Sequence, residues 1–528
     1  MDAKKLLLAA IAFLAVITAV PAQENEQEEP SEFVLVYSPK NLELDPRHIY
    51  TTMESELSTG IYEGLLSYHP FSLAPIPAVA SEWKISPDRT VYTFYLRENA
   101  RFSNGDPVQA QDFLDSWLRV LEPDAGAEYS FLLDIIKGAR NYRLGEEVEV
   151  EELGIRVISP TQLEVELERP ASHFLKILCH MTFAPVHPSY LEREEWDADS
   201  TIIGNGPYYI HERSPSELVL KKNKLYWDAD RVELQTLRIR FMDDPEAISV
   251  GFNNGQIHWA NNWNTETLLD RSKIVFNPLF ATSYFFFVCS ERPWNDERVR
   301  RALTLLVPWE QIRDEEQVLL PTSNLIPQIP GYPEVEGIES FSREEALELL
   351  EDAGYPEGEG LPTPVFKLPG DSESRRIAEI MAESWKRELD LEADFQSFPF
   401  DIYLEEVKQA DFTIGSATWI GDYADPLTFL QMWTADSNLN DARFAAEQFD
   451  ELIEKSFSLE GRERYQVLGD SEQILLQKAV VLPISHTPAF NLIDLDRVEG
   501  WFPNVLNIHP LKYLRFRSLS VPPGVVRL

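Results

Sequence analysis

YTFYLRENARFSNGDPVQAQDFLDSW, residues 92–117, carries a strand, a turn and the start of a helix in succession. Apolar Phe94 and Leu96 alternate as on a half-buried strand, Asn104-Gly105-Asp106-Pro107 supplies turn chemistry, and a helix from near Val108 puts Phe113 and Trp117 on one face. The same grammar extends outward. Upstream, Glu32 to Tyr37 is a short apolar strand candidate; downstream come a second apolar segment at 129–136 and strand patterns at Leu163-Val165-Leu167, Leu218-Val219-Leu220 and Leu237-Ile239-Phe241. From Asp296 on, helices separated by short strands take over. Ser342-Arg343-Glu344-Glu345 is a capping-box pattern opening a helix that Gly354 ends, and Ile377, Ile380, Met381 and Trp385 keep helical spacing on another. Such alternation predicts α/β units with mixed sheets and ligands bound at the strand ends.

A chain of 528 residues, 44% of them hydrophobic, is expected to form two or three domains. Residues 1–22 stand apart: Lys4 and Lys5 precede an apolar run at 6–20, and Val20-Pro21-Ala22 offers small residues before an acidic linker at 23–32. This reads as a secretory signal peptide cleaved after Ala22, since the run is short for a membrane span. No cysteine lies near that junction for lipid attachment, so an exported protein without a lipid anchor or membrane insertion is expected. Cys179 and Cys289 both sit in apolar surroundings, where buried free thiols are as reasonable as a bridge.

The net charge of −41, from 88 acids against 47 bases, argues against nucleic acid and against anionic membrane surfaces. Solubility or adaptation to salt accounts for most of that excess, with attraction of cationic ligands a lesser reading. Enzyme signatures are absent: no G-x-S-x-G elbow, no P-loop, no H-E-x-x-H and no cysteine pair at zinc spacing. The nine histidines are scattered, and His173 and His180, seven apart, read as structural. No metal site, cofactor or catalytic residue is expected.

A second stretch, TWIGDYADPLTF at 418–429, places Asp422 just after Trp419, in a short loop following the strand candidate Phe412-Thr413-Ile414. By itself an Asp in D-Y-A-D-P reads as a turn or a helix cap. It does not stand by itself. In order along the chain come Leu44-Asp45-Pro46, Tyr62-Glu63-Gly64-Leu65-Leu66, Ala80-Ser81-Glu82-Trp83, the 92–117 stretch, Asn205-Gly206-Pro207-Tyr208, Asn223-Lys224-Leu225-Tyr226-Trp227, Asn295-Asp296-Glu297-Arg298-Val299-Arg300 and this segment. Together they resemble the family-5 extracellular solute-binding proteins, the oligopeptide-binding branch above all.

The resemblance implies a type II periplasmic-binding-protein fold: two α/β lobes with mixed sheets joined by crossing strands, and an extra domain inserted in the first lobe. On that pattern the first lobe takes 33–66, 190–282 and 490–528, the extra domain 67–189 and the second lobe 283–489. It also implies that Asp422 receives a peptide's α-ammonium, a charge that must meet a carboxylate once enclosed. Tyr50-Thr51-Thr52 and Thr418-Trp419-Ile420 would read the peptide backbone, as a strand added to a sheet edge, with Phe400 keeping an aromatic pocket wall. The chain also departs from its relatives. Bases that meet the ligand's carboxylate there fall on Gln317, Ser374 and Ser416 here; two pocket acids fall on Tyr50 and Val288, and a pocket arginine on Val407. Arg375 and Arg376 lie beside Ser374 as substitutes. Relatives with a disulfide have one cysteine where this chain has Ile420.

The expected function is that of a receptor that closes on an oligopeptide and delivers it to an inner-membrane ABC permease. Same-fold receptors for dipeptides, oligosaccharide, haem or a metal chelate are the alternatives, followed by a sensor or folding helper of this fold and, more remotely, a secreted hydrolase.

Overall fold

The structure, a computed structural model, describes residues 32–39, 42–123, 125–191, 202–314 and 318–517. The leader, nearly all of the acidic linker and Gln317 lie outside the described residues.

The 92–117 stretch folds as its pattern dictates. Tyr92, Phe94 and Leu96 of the strand Val91–Leu96 are buried. Gly105, at φ +99°, turns the chain, and Asn104 and Asp106 brace the turn: the Asn104 amide donates to Asp106 Oδ2 at 2.6 Å and Asn104 Oδ1 accepts the Asp106 N–H at 3.0 Å. The helix runs over Ala110–Leu121, two residues later than its pattern suggests, because Asp112 reaches back to accept the Gln109 N–H at 2.6 Å and fixes the start there. Trp117 packs edge-on to Phe113, and its indole donates to Phe183 O at 3.0 Å. The strand belongs to a four-stranded antiparallel sheet in the order Ala80–Ile85, Val91–Leu96, Gln162–Glu166, Ile155–Ser159.

A ten-stranded mixed sheet forms the rest of the frame, in the order Asp394–Phe398, Val365–Pro369, Ile414–Ile420, Ile274–Phe287, Val481–Ile493, Trp259–Ala260, Glu32–Tyr37, Thr236–Phe241, Glu217–Lys222, Tyr208–Ser214. Its two longest strands, Ile274–Phe287 and Val481–Ile493, pair antiparallel, with register shifts between Pro278 and Thr282 and between Ser283 and Tyr284. Each belongs to both halves of the sheet, which makes them the crossing strands. Outward on one side Glu32–Tyr37 runs parallel to Thr236–Phe241; on the other Val365–Pro369 runs parallel to Asp394–Phe398. Each half has its own core, around Phe33, Leu220 and Leu237 in one and Phe366, Met381 and Trp385 in the other. A third core joins Phe94, Phe113 and Trp117 to Phe429, Trp433 and Leu475.

The apolar segment at 129–136, whose type its sequence leaves open, is a 3₁₀ helix, Ser130–Ile135. Two sequence readings change. Ser342 does cap the helix Arg343–Asp352, accepting the Glu345 N–H at 3.3 Å, but the Glu345 carboxylate turns outward to Arg301, so only half of the box forms. Trp419 lies in the strand Ile414–Ile420 and not in a loop, because pairing with Ile274–Phe287 carries the strand on through Ser416, Ala417 and Thr418. Cys179 and Cys289 are free thiols, and burial pushes both upward from their ordinary pKa.

Candidate ligand-binding cavity

A cavity of about 1360 Å³ opens where the two sheet halves meet, and all eight expected residues line it: Tyr50, Thr51, Thr52, Phe400, Thr418, Trp419, Ile420 and Asp422. They come from three places. Tyr50 to Thr52 form the start of the helix Thr52–Ile61, Phe400 opens the helix Phe400–Glu406, and residues 418–422 end the strand Ile414–Ile420 and turn away from it.

Asp422 is 8% exposed. Thr428 Oγ1 donates to its Oδ2 at 3.1 Å and accepts its N–H at 3.0 Å, the Tyr129 hydroxyl bonds its carboxyl group, and Tyr68 donates to its carbonyl at 3.2 Å. The partners of its carboxyl group are hydroxyls; among the described residues no cation pairs with it. Burial therefore pushes its pKa up to about 7, against the smaller opposing pull of the Thr428 and Tyr129 hydrogen bonds. The other acid of the motif is used differently. Asp425 accepts two bonds from the Arg464 guanidinium at 2.8 and 2.9 Å and caps the short turn that follows, so it is structural.

The strand beside Asp422 leaves one edge uncovered. Its neighbour Val365–Pro369 pairs with it only as far as Gly415. Gly421 donates to Phe280 O on the crossing strand, whereas Ser416 turns its N–H and C=O the other way, to the Tyr403 hydroxyl at 3.0 and 2.7 Å. Strand alternation then points the N–H and C=O of Thr418 and Ile420 to the open edge, toward the cavity. Tyr50 to Thr52 contribute less backbone than expected. Glu54 Oε2 already accepts the N–H groups of Tyr50 and Thr51 at 3.3 and 2.9 Å, so this segment is a capped helix start and not an extended edge.

Phe400 is 53% exposed and forms an apolar wall with Leu404 and Phe490. Trp419 is 5% exposed and its indole donates to Thr428 O at 3.0 Å, so it braces the Asp422 turn from within the core. Ser374 and Ser416 face each other across 3.2 Å on the cavity wall, both uncharged. Val288 and Val407 are buried in the core. Arg375 is committed to Glu379 at 2.6 Å and lies over the Phe395 ring, while the terminal nitrogens of Arg376 are shut off from solvent without a hydrogen-bond partner. Sequence reading missed Tyr129, Tyr284, Tyr403, Asp371 and Glu373, which also line the cavity. Two signals pointed to some of them: Tyr403 follows Phe400 at helical spacing, and Asp371 is the N-cap of Ser372–Leu389.

Two sheet halves sharing crossing strands, with a cavity between them and an extra four-stranded sheet, give the fold of the class II periplasmic binding proteins, a class of solute receptors. Residues 74–441 match the model of the bacterial extracellular solute-binding proteins, family 5, and the chain belongs to that family. It is 26% identical to a dipeptide-binding protein of Bacillus subtilis, over 93% of this chain and 90% of that one. It is 27% identical to the periplasmic oligopeptide-binding protein of Salmonella typhimurium, over 90% of each. The solved murein tripeptide binding protein of Escherichia coli superposes with a TM-score of 0.82 at 26% identity, covering 92% of this chain and 98% of that one. The unliganded open form of that protein superposes at only 0.63, so the arrangement of the present chain is not that open one.

Proposed function

We propose that this chain is a periplasmic receptor that encloses an oligopeptide between its two lobes and presents it to an inner-membrane ABC import permease. One observation carries the reading: Asp422, a buried carboxylate without a cationic partner among the described residues, stands at the end of an uncovered strand edge inside a large cavity. An α-ammonium supplies the missing charge, and an extended backbone supplies the missing strand. The names of the relatives, which bind dipeptides, oligopeptides and a murein tripeptide, support a peptide ligand. A cavity of about 1360 Å³ exceeds the usual range of roughly 300–1,000 Å³ for drug-sized ligands and favours a peptide longer than two residues. Sugar and haem fit less well, because Trp419 is engaged in the core and Asp422 calls for a cation.

On this reading the mature chain begins at Gln23 and acts as a monomer, with 33–66, 190–282 and 490–528 as first lobe, 67–189 as the inserted domain and 283–489 as second lobe. Native mass spectrometry of gently purified protein tests the ligand class, with a heterogeneous set of peptides as the expected result. A single homogeneous non-peptide adduct overturns it. Calorimetry tests the anchor: N-acetylating a bound peptide should weaken it by at least about tenfold, or 1.4 kcal/mol.

A further inference from the structure

Among the described lining residues, every group that carries charge at neutral pH is acidic. Asp422 lies deep; Asp371 and Glu373 stand at the start of the helix Ser372–Leu389, and Asp243 follows the strand Thr236–Phe241. No lysine or arginine is among them. His180 does not fill the gap, since its Nδ1 sits 3.0 Å from Thr182 Oγ1 and burial lowers its pKa to about 4, leaving it neutral. The helix start offers little to an anion either: Asp371 Oδ1 already accepts the Ser374 N–H at 2.7 Å, and Glu373 stands beside it. Arg375 is held by Glu379, and the Arg376 nitrogens are closed to solvent.

A free peptide has two charged ends, and this cavity has a partner for only one of them. A terminal carboxylate placed among these acids is repelled, whereas a second cation is attracted. We propose that the cavity selects its ligands by charge: it takes peptides whose carboxyl end is neutralised or carries a basic side chain, with the amino terminus at Asp422 and the second cation at Asp371 and Glu373. This rests on the peptide reading above and narrows it to cationic peptides.

The test is calorimetry of the full exported chain with Ala-Ala-Phe-Glu, Ala-Ala-Phe-Ala and Ala-Ala-Phe-Lys, each as free acid and as amide. Amides should bind about fivefold or more tightly than their acids, and the lysine amide about thirtyfold more tightly than the glutamate acid, with the spread shrinking as salt is raised. The double variant Asp371→Asn/Glu373→Gln changes two exposed side chains, and asparagine keeps the cap. It should compress the carboxyl-end ranking to about threefold while the N-acetylation penalty persists. Free acids that bind as well as amides, or a ranking that survives in the double variant, overturn the proposal. Free acids that bind more tightly than amides and lose that advantage in Arg376→Gln would make Arg376 a carboxylate anchor and overturn it too. If peptides bind with a flat charge series, this inference alone falls; if no probe binds, the peptide reading falls with it.

Discussion

Burial holds the Asp422 carboxyl group in its protonated form up to a pKa of about 7. An arriving ammonium needs the carboxylate, so below that value ligand and proton compete for one group. Affinity should therefore rise with pH to about 7, fall by roughly tenfold per unit at the acid end, and release a proton detectable in calorimetry through the buffer's ionisation heat. A pH-independent affinity would move the anchor elsewhere. Asp422→Asn keeps the volume and removes the charge, and should cost a bound peptide about 1.5–3 kcal/mol. The empty protein should respond in the opposite sense. A carboxyl pKa raised on folding destabilises progressively as pH rises from the ordinary 3.8 and fully above about 7, so the variant should melt higher than wild type at alkaline pH and equally near pH 4 in scanning calorimetry. The sequence marks Asp422 only through its resemblance. In D-Y-A-D the two acids look alike, and what separates them is Arg464, 39 positions further on, which takes Asp425 and leaves Asp422 alone.

At the scale of the element, the uncovered edge of Ile414–Ile420 presents backbone groups at alternate residues only, Thr418 and Ile420. A bound peptide should show the same period of two. N-methylation walked along a ligand should weaken binding about fivefold or more at alternate amides and little in between, read by competition against a fluorescent peptide. A uniform loss at every amide would argue against strand-like docking. This element was half legible. Phe412-Thr413-Ile414 announced a strand, but Gly415-Ser416-Ala417-Thr418 has no apolar alternation, since its strand character comes from pairing with residues 281–287. The 92–117 stretch read well for the opposite reason: strand alternation, turn bracing and helix start are all settled by residues within it. The acids Asp371 and Glu373 were legible as a helix start and illegible as cavity lining, because what faces a helix end depends on the tertiary fold.

For the whole molecule, a polar seam ties the 67–189 segment to the second sheet half. Arg140 meets Asp436 at 2.6 Å, Asn438 donates to Ala127 O and Ser130 Oγ at 3.0 and 2.7 Å, and Lys176 donates to Ala424 O at 2.9 Å. If the lobes part to admit ligand, these bonds belong to the closed state, and Arg140→Ala with Asn438→Ala should enlarge the ligand-free radius of gyration in X-ray scattering and weaken apparent affinity by about threefold to tenfold. Identical scattering and affinity would show the seam to be permanent. Several motifs that mark the family do not touch the cavity at all. Glu63 accepts from the Tyr226 hydroxyl, from Trp227 Nε1 at 2.5 Å and from Lys512 at 2.9 Å, while Asn205 exchanges bonds with the Glu63 backbone at 2.7 and 3.0 Å. At Gly206 a Cβ would meet Ile61 C at 2.5 Å, so only glycine fits there. Glu56 is likewise buried and is bonded by His509, from Nδ1 at 2.7 Å and from N–H at 3.0 Å. These two early carboxylates thus wait for residues about 450 positions later, and the strand Glu32–Tyr37 is linked to the other half of its sheet only through Trp259–Ala260 and Val481–Ile493. A polypeptide emerging amino end first from a ribosome meets no cation for Glu63 until Lys512 follows, and burying that carboxylate without one is strongly unfavourable. The part of the molecule made first is therefore the last that can finish folding.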